Sequence, residues 1–157
     1  MSSLLAGVVS RKPLAVADGR SGSLLERVTL AGGETLVVKH VRDGGDWIMR
    51  ASHDHGRAAE LWSSGVLGRV PEVIDHAVLG AEQVAGGWVV IMRDVSAALV
   101  PEHAPISRSD SRRVLAAAAA LHAAFADDPP LALCSMADRY QLLSPATTRR
   151  EAGGADE

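Results

Sequence analysis

The sequence predicts an α+β domain: a small antiparallel sheet with a helix beside it, then a linker and one long helix. Three stretches carry that prediction. Leu24 to Leu30 and Thr35 to Val41 are apolar-rich runs separated by Ala31-Gly32-Gly33-Glu34, the pattern of a β-hairpin. Trp88-Val89-Val90-Ile91-Met92 is a short, wholly apolar run that Arg93-Asp94 stops, as in a buried strand. Ser107 or Ser109 caps a helix running to about Phe125, in which Ala116 to Ala120 favour the helical backbone and Val114, Leu115, Ala118, Leu121 and Phe125 form the apolar stripe.

The length, 157 residues, suits one domain with a core. Apolar residues make up 47% and charged residues 22%, a globular balance, while aromatics at 3% leave the core to Val, Leu, Ile and Ala. The net charge of −3 and a pI near 6.1 show no footprint for nucleic acid. A single cysteine, Cys134, excludes an internal disulfide and is expected to be a structural thiol in a reducing compartment. No apolar run approaches the ~18 residues of a membrane span, and no positive charge precedes the mildly apolar N-terminus, so a cytoplasmic location is expected.

Between these anchors the chain reads as follows. Met1 to Lys12 carries little signal, and Pro13 to Asp18, with Leu14 and Val16, is expected to be the first strand. Asp18-Gly19-Arg20-Ser21-Gly22-Ser23 is a turn of small residues leading into the hairpin. Asp46 caps a helix whose stripe is Trp47, Ile48, Ala51, His55, Ala58 and Trp62, with Gly56 weakening it by about 1 kcal/mol relative to Ala and Ser63-Ser64-Gly65 ending it. Glu72 to Val78 is a strand candidate, Gly80 to Gly87 a turn, and Val95 to Ile106, with Pro101 and Pro105, a linker. Leu131 to Leu143 is ambiguous, and Thr147 to Glu157 is expected to fray.

The chemistry centres on Leu36-Val37-Val38-Lys39-His40-Val41. Alternation puts Val37, Lys39 and Val41 on one face and Leu36, Val38 and His40 on the other. A charge on an apolar face needs a partner, and Lys39 is one of two lysines against fourteen arginines. Two readings of it stand: a phosphate ligand, or a lysine near a strand end whose ammonium snorkels to water. His53-Asp54-His55 makes no chelate on a helix, because residues two apart point different ways. His122 on the long helix reads as a packed or half-exposed histidine.

The order strand, Gly/Ser turn, strand, strand with Lys, helix, two strands, linker and long helix resembles the N-terminal lobe of the protein-kinase-like fold. In detail the chain resembles the aminoglycoside phosphotransferase/choline kinase-like family. The stretches that carry this are Asp18 to Ser23, Leu36-Val37-Val38-Lys39, Arg57-Ala58-Ala59-Glu60-Leu61-Trp62, Val70-Pro71-Glu72-Val73-Ile74, Val89 to Val95 and Leu121-His122. The resemblance implies an ATP-binding lobe over residues 1–100, and over 101–157 a linker, the long helix and the start of a second lobe. It implies that Lys39 pairs the α- and β-phosphates and that a helix glutamate orients it. Glu60 is the nearest acid, although helical spacing from Ala58 puts it on the side of His53 and Arg57. Val37 would roof the adenine, Gly19, Ser21, Gly22 and Ser23 would cover the phosphates, and the backbone of Met92, Arg93 and Asp94 would meet the adenine edge.

The family's His-Gly-Asp loop, the Asn after it and the later Asp are not found beyond Phe125, where no histidine occurs. The resemblance therefore implies a phosphotransferase part cut off before its catalytic loop and inactive alone. No catalytic and no metal residue is assigned, and Mg²⁺ is expected only with a complete second lobe. The expected partners are a nucleotide and a second chain, or a second copy bound through residues 107–125. The alternative is a non-catalytic nucleotide-binding or protein-interaction module.

Overall fold

A computed structural model describes residues 3–14, 23–43, 49, 56–101, 103–130, 135–142 and 144–153. At its centre is an antiparallel sheet of five strands: β1 (Val8–Pro13), β2 (Leu24–Leu30), β3 (Thr35–Arg42), β4 (Val78–Val84) and β5 (Gly87–Arg93), in the order β1-β2-β3-β5-β4. The hairpin of β2 and β3 forms as expected, in a register that runs from Leu24 opposite His40 to Thr29 opposite Thr35. Strand β5 lies on the other side of β3, with Leu36 opposite Arg93 and Arg42 opposite Gly87.

Both faces of the sheet are covered, which is why β3 and β5 read as nearly continuous apolar runs. On one face Val28, Leu36, Val38 and Ile91 pack with Leu5, which a short 3₁₀ turn, Ser3–Leu5, lays across them. On the other, Val41, Val78 and Val90 pack with Met49 and with Ala59 of helix α1 (Arg57–Ser63). Val28, Val38, Val90 and Ala59 are fully buried.

Four expectations are corrected. The first strand is Val8–Pro13, not 13–18; residues 15–18 lie outside the described ones. It is an edge strand with a mostly exposed, irregular burial pattern and a register shift between Val8 and Ser10, so no alternation marks it in the sequence. Strand β4 begins at Val78, where the Glu72 to Val78 candidate ends, and it takes Gly80 to Val84 from the expected turn, leaving only Ala85-Gly86 between β4 and β5. Helix α1 starts after Gly56, whose φ of 121° is outside the helical region. Its buried residue is Ala59, while Ala58 and Trp62 of the expected stripe are exposed. A Cβ on Gly56 would come within 2.9 Å of the Trp88 ring, so the chain enters α1 through a glycine pressed against β5 and the helical phase is set there. The earlier part of the expected helix, apart from Met49, lies outside the described residues. Finally, the chain after Ser144 is not wholly frayed. Helix α4 (Pro145–Gly153) follows α3 (Met136–Gln141), and Ser144 Oγ accepts the Thr147 N–H at its start.

The long helix α2 spans Arg108–Ala124, with Ser107 as its N-cap: Ser107 Oγ accepts the Asp110 N–H at 3.0 Å. No residue of α2 is buried. Val114 and Leu115 are 64% and 69% exposed, so the N-terminal half of the stripe has no partner among the described residues. Among those residues no helix is long and apolar enough to cross a membrane.

Candidate functional site

Strand β3 puts Val37, Lys39 and Val41 on the face that α1 covers. Met92, Val90 and Trp88 of β5 stand opposite them in that order. From β2, Arg27 stands opposite Val37 and Leu25 opposite Lys39. The Lys39 side chain is therefore half-buried in an aliphatic row, with valines two residues away on either side along its own strand. Among the described residues no carboxylate lies within ion-pair distance of its ammonium.

Glu60 is one of the residues so excluded, and it makes no ion pair with Lys39. Its position nevertheless differs from the expected one. With Ala59 at the centre of the buried face, Glu60 sits about 100° round the helix and is half-buried, not on the fully solvated side. Ser23, at the entrance to β2, is half-buried; Gly19, Ser21 and Gly22 of the same turn lie outside the described residues.

Where β5 ends, the side chains of the expected adenine-edge residues are already engaged. Met92 is half-buried and packs on the cluster beneath α1. The Arg93 N–H donates to Ala77 O at 2.9 Å and its guanidinium bonds the Asp75 carboxylate, so that amide is committed within the fold. Asp94 is the hub of a network that sequence reading missed. Arg27 Nε donates to Asp94 Oδ2 at 2.7 Å, Arg27 Nη2 donates to Ser96 Oγ at 2.7 Å, and Ser96 Oγ donates to Asp94 Oδ1. The Ser96 N–H adds a bond to Asp94 Oδ1 at 3.0 Å. The Ser96 hydroxyl above all, then the Ser96 amide and Arg27, hold the Asp94 carboxyl below the usual aspartate range against the opposing effect of burial. Asp-x-Ser is a local turn signal, but its partner Arg27 is 67 residues away and no local pattern points to it.

The opposite face carries a second polar cluster. Glu26 Oε2 lies 2.9 Å from His40 Nε2 and accepts from Arg11 Nη1 at 3.1 Å. The hydrogen bond from His40, more than the Arg11 contact, lowers the Glu26 pKa. An apolar groove of about 540 Å³ opens elsewhere, between Leu121 of α2 with Phe125, which follows that helix, and the chain from Leu61 to Ile74, with the exposed His122 at its rim. Arg69 stacks 4.9 Å from the ring centroid of Phe125, one of the groove's lining residues, and pairs with Asp128 at 2.9 Å. His53-Asp54-His55 and Cys134 lie outside the described residues. Among the described ones no group of three or more His, Cys, Asp or Glu stands together as a metal site. Compared with family models, with curated proteins and with solved structures, the chain matches none.

Proposed function

We propose that this chain is the ATP-binding part of a small-molecule phosphotransferase of the aminoglycoside phosphotransferase/choline kinase-like kind, built as a kinase-like N-terminal lobe. The observation that carries the reading is Lys39. It is a cation in an aliphatic row, without a carboxylate partner among the described residues, on the face shared by Val37 and Met92. A half-buried lysine with no counter-charge beside it among those residues is available to an anionic ligand. The order of β2, β3, α1, β4, β5, linker and α2 supports the same reading. Val37 would roof the base with Met92 at its edge, Lys39 would take the α- and β-phosphates, and the turn before Ser23 would cover them. Glu60 is a weaker member, since it does not pair with Lys39 in this arrangement.

ATP would supply the phosphoryl group. For Mg²⁺ the described residues offer no cluster of ligands, and no step is assigned to it. Residues 126–157 contain no histidine, hence no His-Gly-Asp loop to hold an acceptor hydroxyl, and this chain by itself is expected to bind nucleotide without transferring phosphate.

The test is titration calorimetry with ATP and with adenosine. Wild type should bind both, and Lys39→Ala should lose about tenfold or more in ATP affinity, the size of a charge-assisted contact, with adenosine affinity retained. Equal ATP affinity in the variant would remove Lys39 from the site; no ATP binding by wild type would remove the reading.

A second reading, a non-catalytic interaction module, is favoured by α2. A seventeen-residue helix with no buried residue, leading into an apolar groove, is suited to a partner chain or a second copy packed along residues 107–125. Sedimentation of wild type and Leu115→Glu separates the cases. Association that the substitution abolishes supports this reading, and a monomer at all concentrations contradicts self-association through α2.

A further inference from the structure

Two charged side chains of the sheet lie on the same face of the proposed nucleotide site, and they are engaged differently. Lys39 has no carboxylate partner among the described residues. Arg27, diagonally across on β2, is tied to the chain segment that leaves β5. Their positions differ by one side-chain repeat, since Leu25 is the residue opposite Lys39 and Arg27 is opposite Val37. That repeat is about 7 Å along the strand. Arg27 therefore stands at the Val37–Met92 end of the face and Lys39 further in.

The hydrogen bonds among Arg27, Asp94 and Ser96 close a ring in which each donor meets one acceptor. Arg27 Nε–H goes to Asp94 Oδ2, Arg27 Nη2–H to Ser96 Oγ, and Ser96 Oγ–H to Asp94 Oδ1. A second bond, from the Ser96 amide, locks Asp94 to the turn that follows it. The Asp94 side chain is 11% exposed, so the carboxylate is shielded, and removing Arg27 would leave it without its counter-charge. The ring joins β2 to the end of β5 across β3. It fixes the backbone after Met92 relative to Val37, and these two neighbours on one face of the sheet are the surface against which a base would pack.

We propose that Arg27, Asp94 and Ser96 form a clasp that positions the base end of the nucleotide site, with Arg27 as the positioning residue. The proposal rests on the nucleotide reading above. With the clasp closed, the segment after β5 is ordered before the ligand arrives. With it open, the ligand must order that segment on binding and loses affinity by that amount. The clasp acts on the base and not on the phosphates, because Lys39 is held by β3 itself. It also makes binding reciprocal: a base that needs the clasp closed must tighten the clasp when it binds.

The experiment measures adenosine and inorganic tripolyphosphate binding by calorimetry for wild type, Arg27→Ala, Ser96→Ala and Arg11→Ala. Amide hydrogen exchange at Ser96 is followed with each ligand. Arg11→Ala is the control, since it breaks a comparable ion pair, with Glu26, on the opposite face. Arg27→Ala should weaken adenosine about tenfold, the size of a charge-assisted hydrogen bond, and Ser96→Ala should weaken it by less, with tripolyphosphate unaffected in both. The Ser96 amide of wild type should exchange more slowly with adenosine present and at its free rate with tripolyphosphate. If Arg27→Ala does not fold, Ser96→Ala and the exchange measurement decide. Adenosine binding to wild type with no change in the two clasp variants and no protection of Ser96 overturns the clasp and leaves the nucleotide reading standing. Weakening of both ligands alike, or the same loss in Arg11→Ala, also overturns it, since that marks a general loss of stability. Absence of adenosine and of ATP binding in wild type overturns both.

Discussion

Replacing Lys39 by Met should stabilise the fold while weakening ATP binding by about tenfold or more. The Lys39 stem lies in a row between Val37 and Val41, with Val90 and Leu25 opposite, and its ammonium has no carboxylate partner among the described residues. Met has nearly the volume of the lysine stem, so the row's packing is retained. The residue is half-buried, and the substitution replaces its charged end with an apolar one on an apolar face. Because lysine already buries most of its methylenes, the gain is limited to about 1 kcal/mol. For a chain of this length that corresponds to a rise in Tm of roughly 2–4 °C. Urea unfolding followed by circular dichroism gives the free energy, a thermal scan gives Tm, and ATP titration gives the functional side. A fall in stability of more than about 1 kcal/mol would refute the reasoning, because it would mean that the ammonium is held by a structural counter-charge.

Gly87→Ala should destabilise by about 2–4 kcal/mol in the same urea assay, since Gly87 has a φ of 148° and a Cβ there would come within 2.0 Å of Val41 O; near-normal stability would show that β5 can shift away from β3. Val38→Ala should lose about 2–3 kcal/mol at its fully buried position, whereas Leu115→Ala, 69% exposed, should change stability by less than about 0.5 kcal/mol; a large loss at Leu115 would mean that α2 is packed in solution. Glu26 has a lowered folded pKa, so its contribution is present above the unfolded glutamate value of about 4.3 and is lost as pH falls through the lower folded value. Glu26→Gln should accordingly be less stable than wild type at neutral pH and converge with it in acid, and a pH-independent difference would contradict the assignment.

What could be read from the chain alone is local. The β2–β3 hairpin is marked by Gly32-Gly33 between two apolar runs, β5 by five consecutive apolar residues, and α2 by its alanines and a serine whose hydroxyl caps the following turn. In each case the residues that decide the conformation are neighbours in sequence. Lys39 was legible for the same reason: alternation along a strand assigns its face without knowledge of what lies opposite. Tertiary structure decided the rest. Strand β1 exists because β2 offers it an edge; its own residues are mostly exposed and show no alternation. Strand β4 continues through Gly80, a residue that reads as a turn, because Gly80 pairs with Ile91 of β5, and Leu4 leaves little room there for a side chain. The buried face of α1 is set by Gly56 against Trp88, one residue out of phase with the apolar stripe. The tie between Arg27 and Asp94 spans 67 residues, and only the register of β2, β3 and β5 brings the two together. Local propensity is a property of a few adjacent residues, whereas strand partners, helix phase and ion pairs are set by which surfaces meet once the chain is packed.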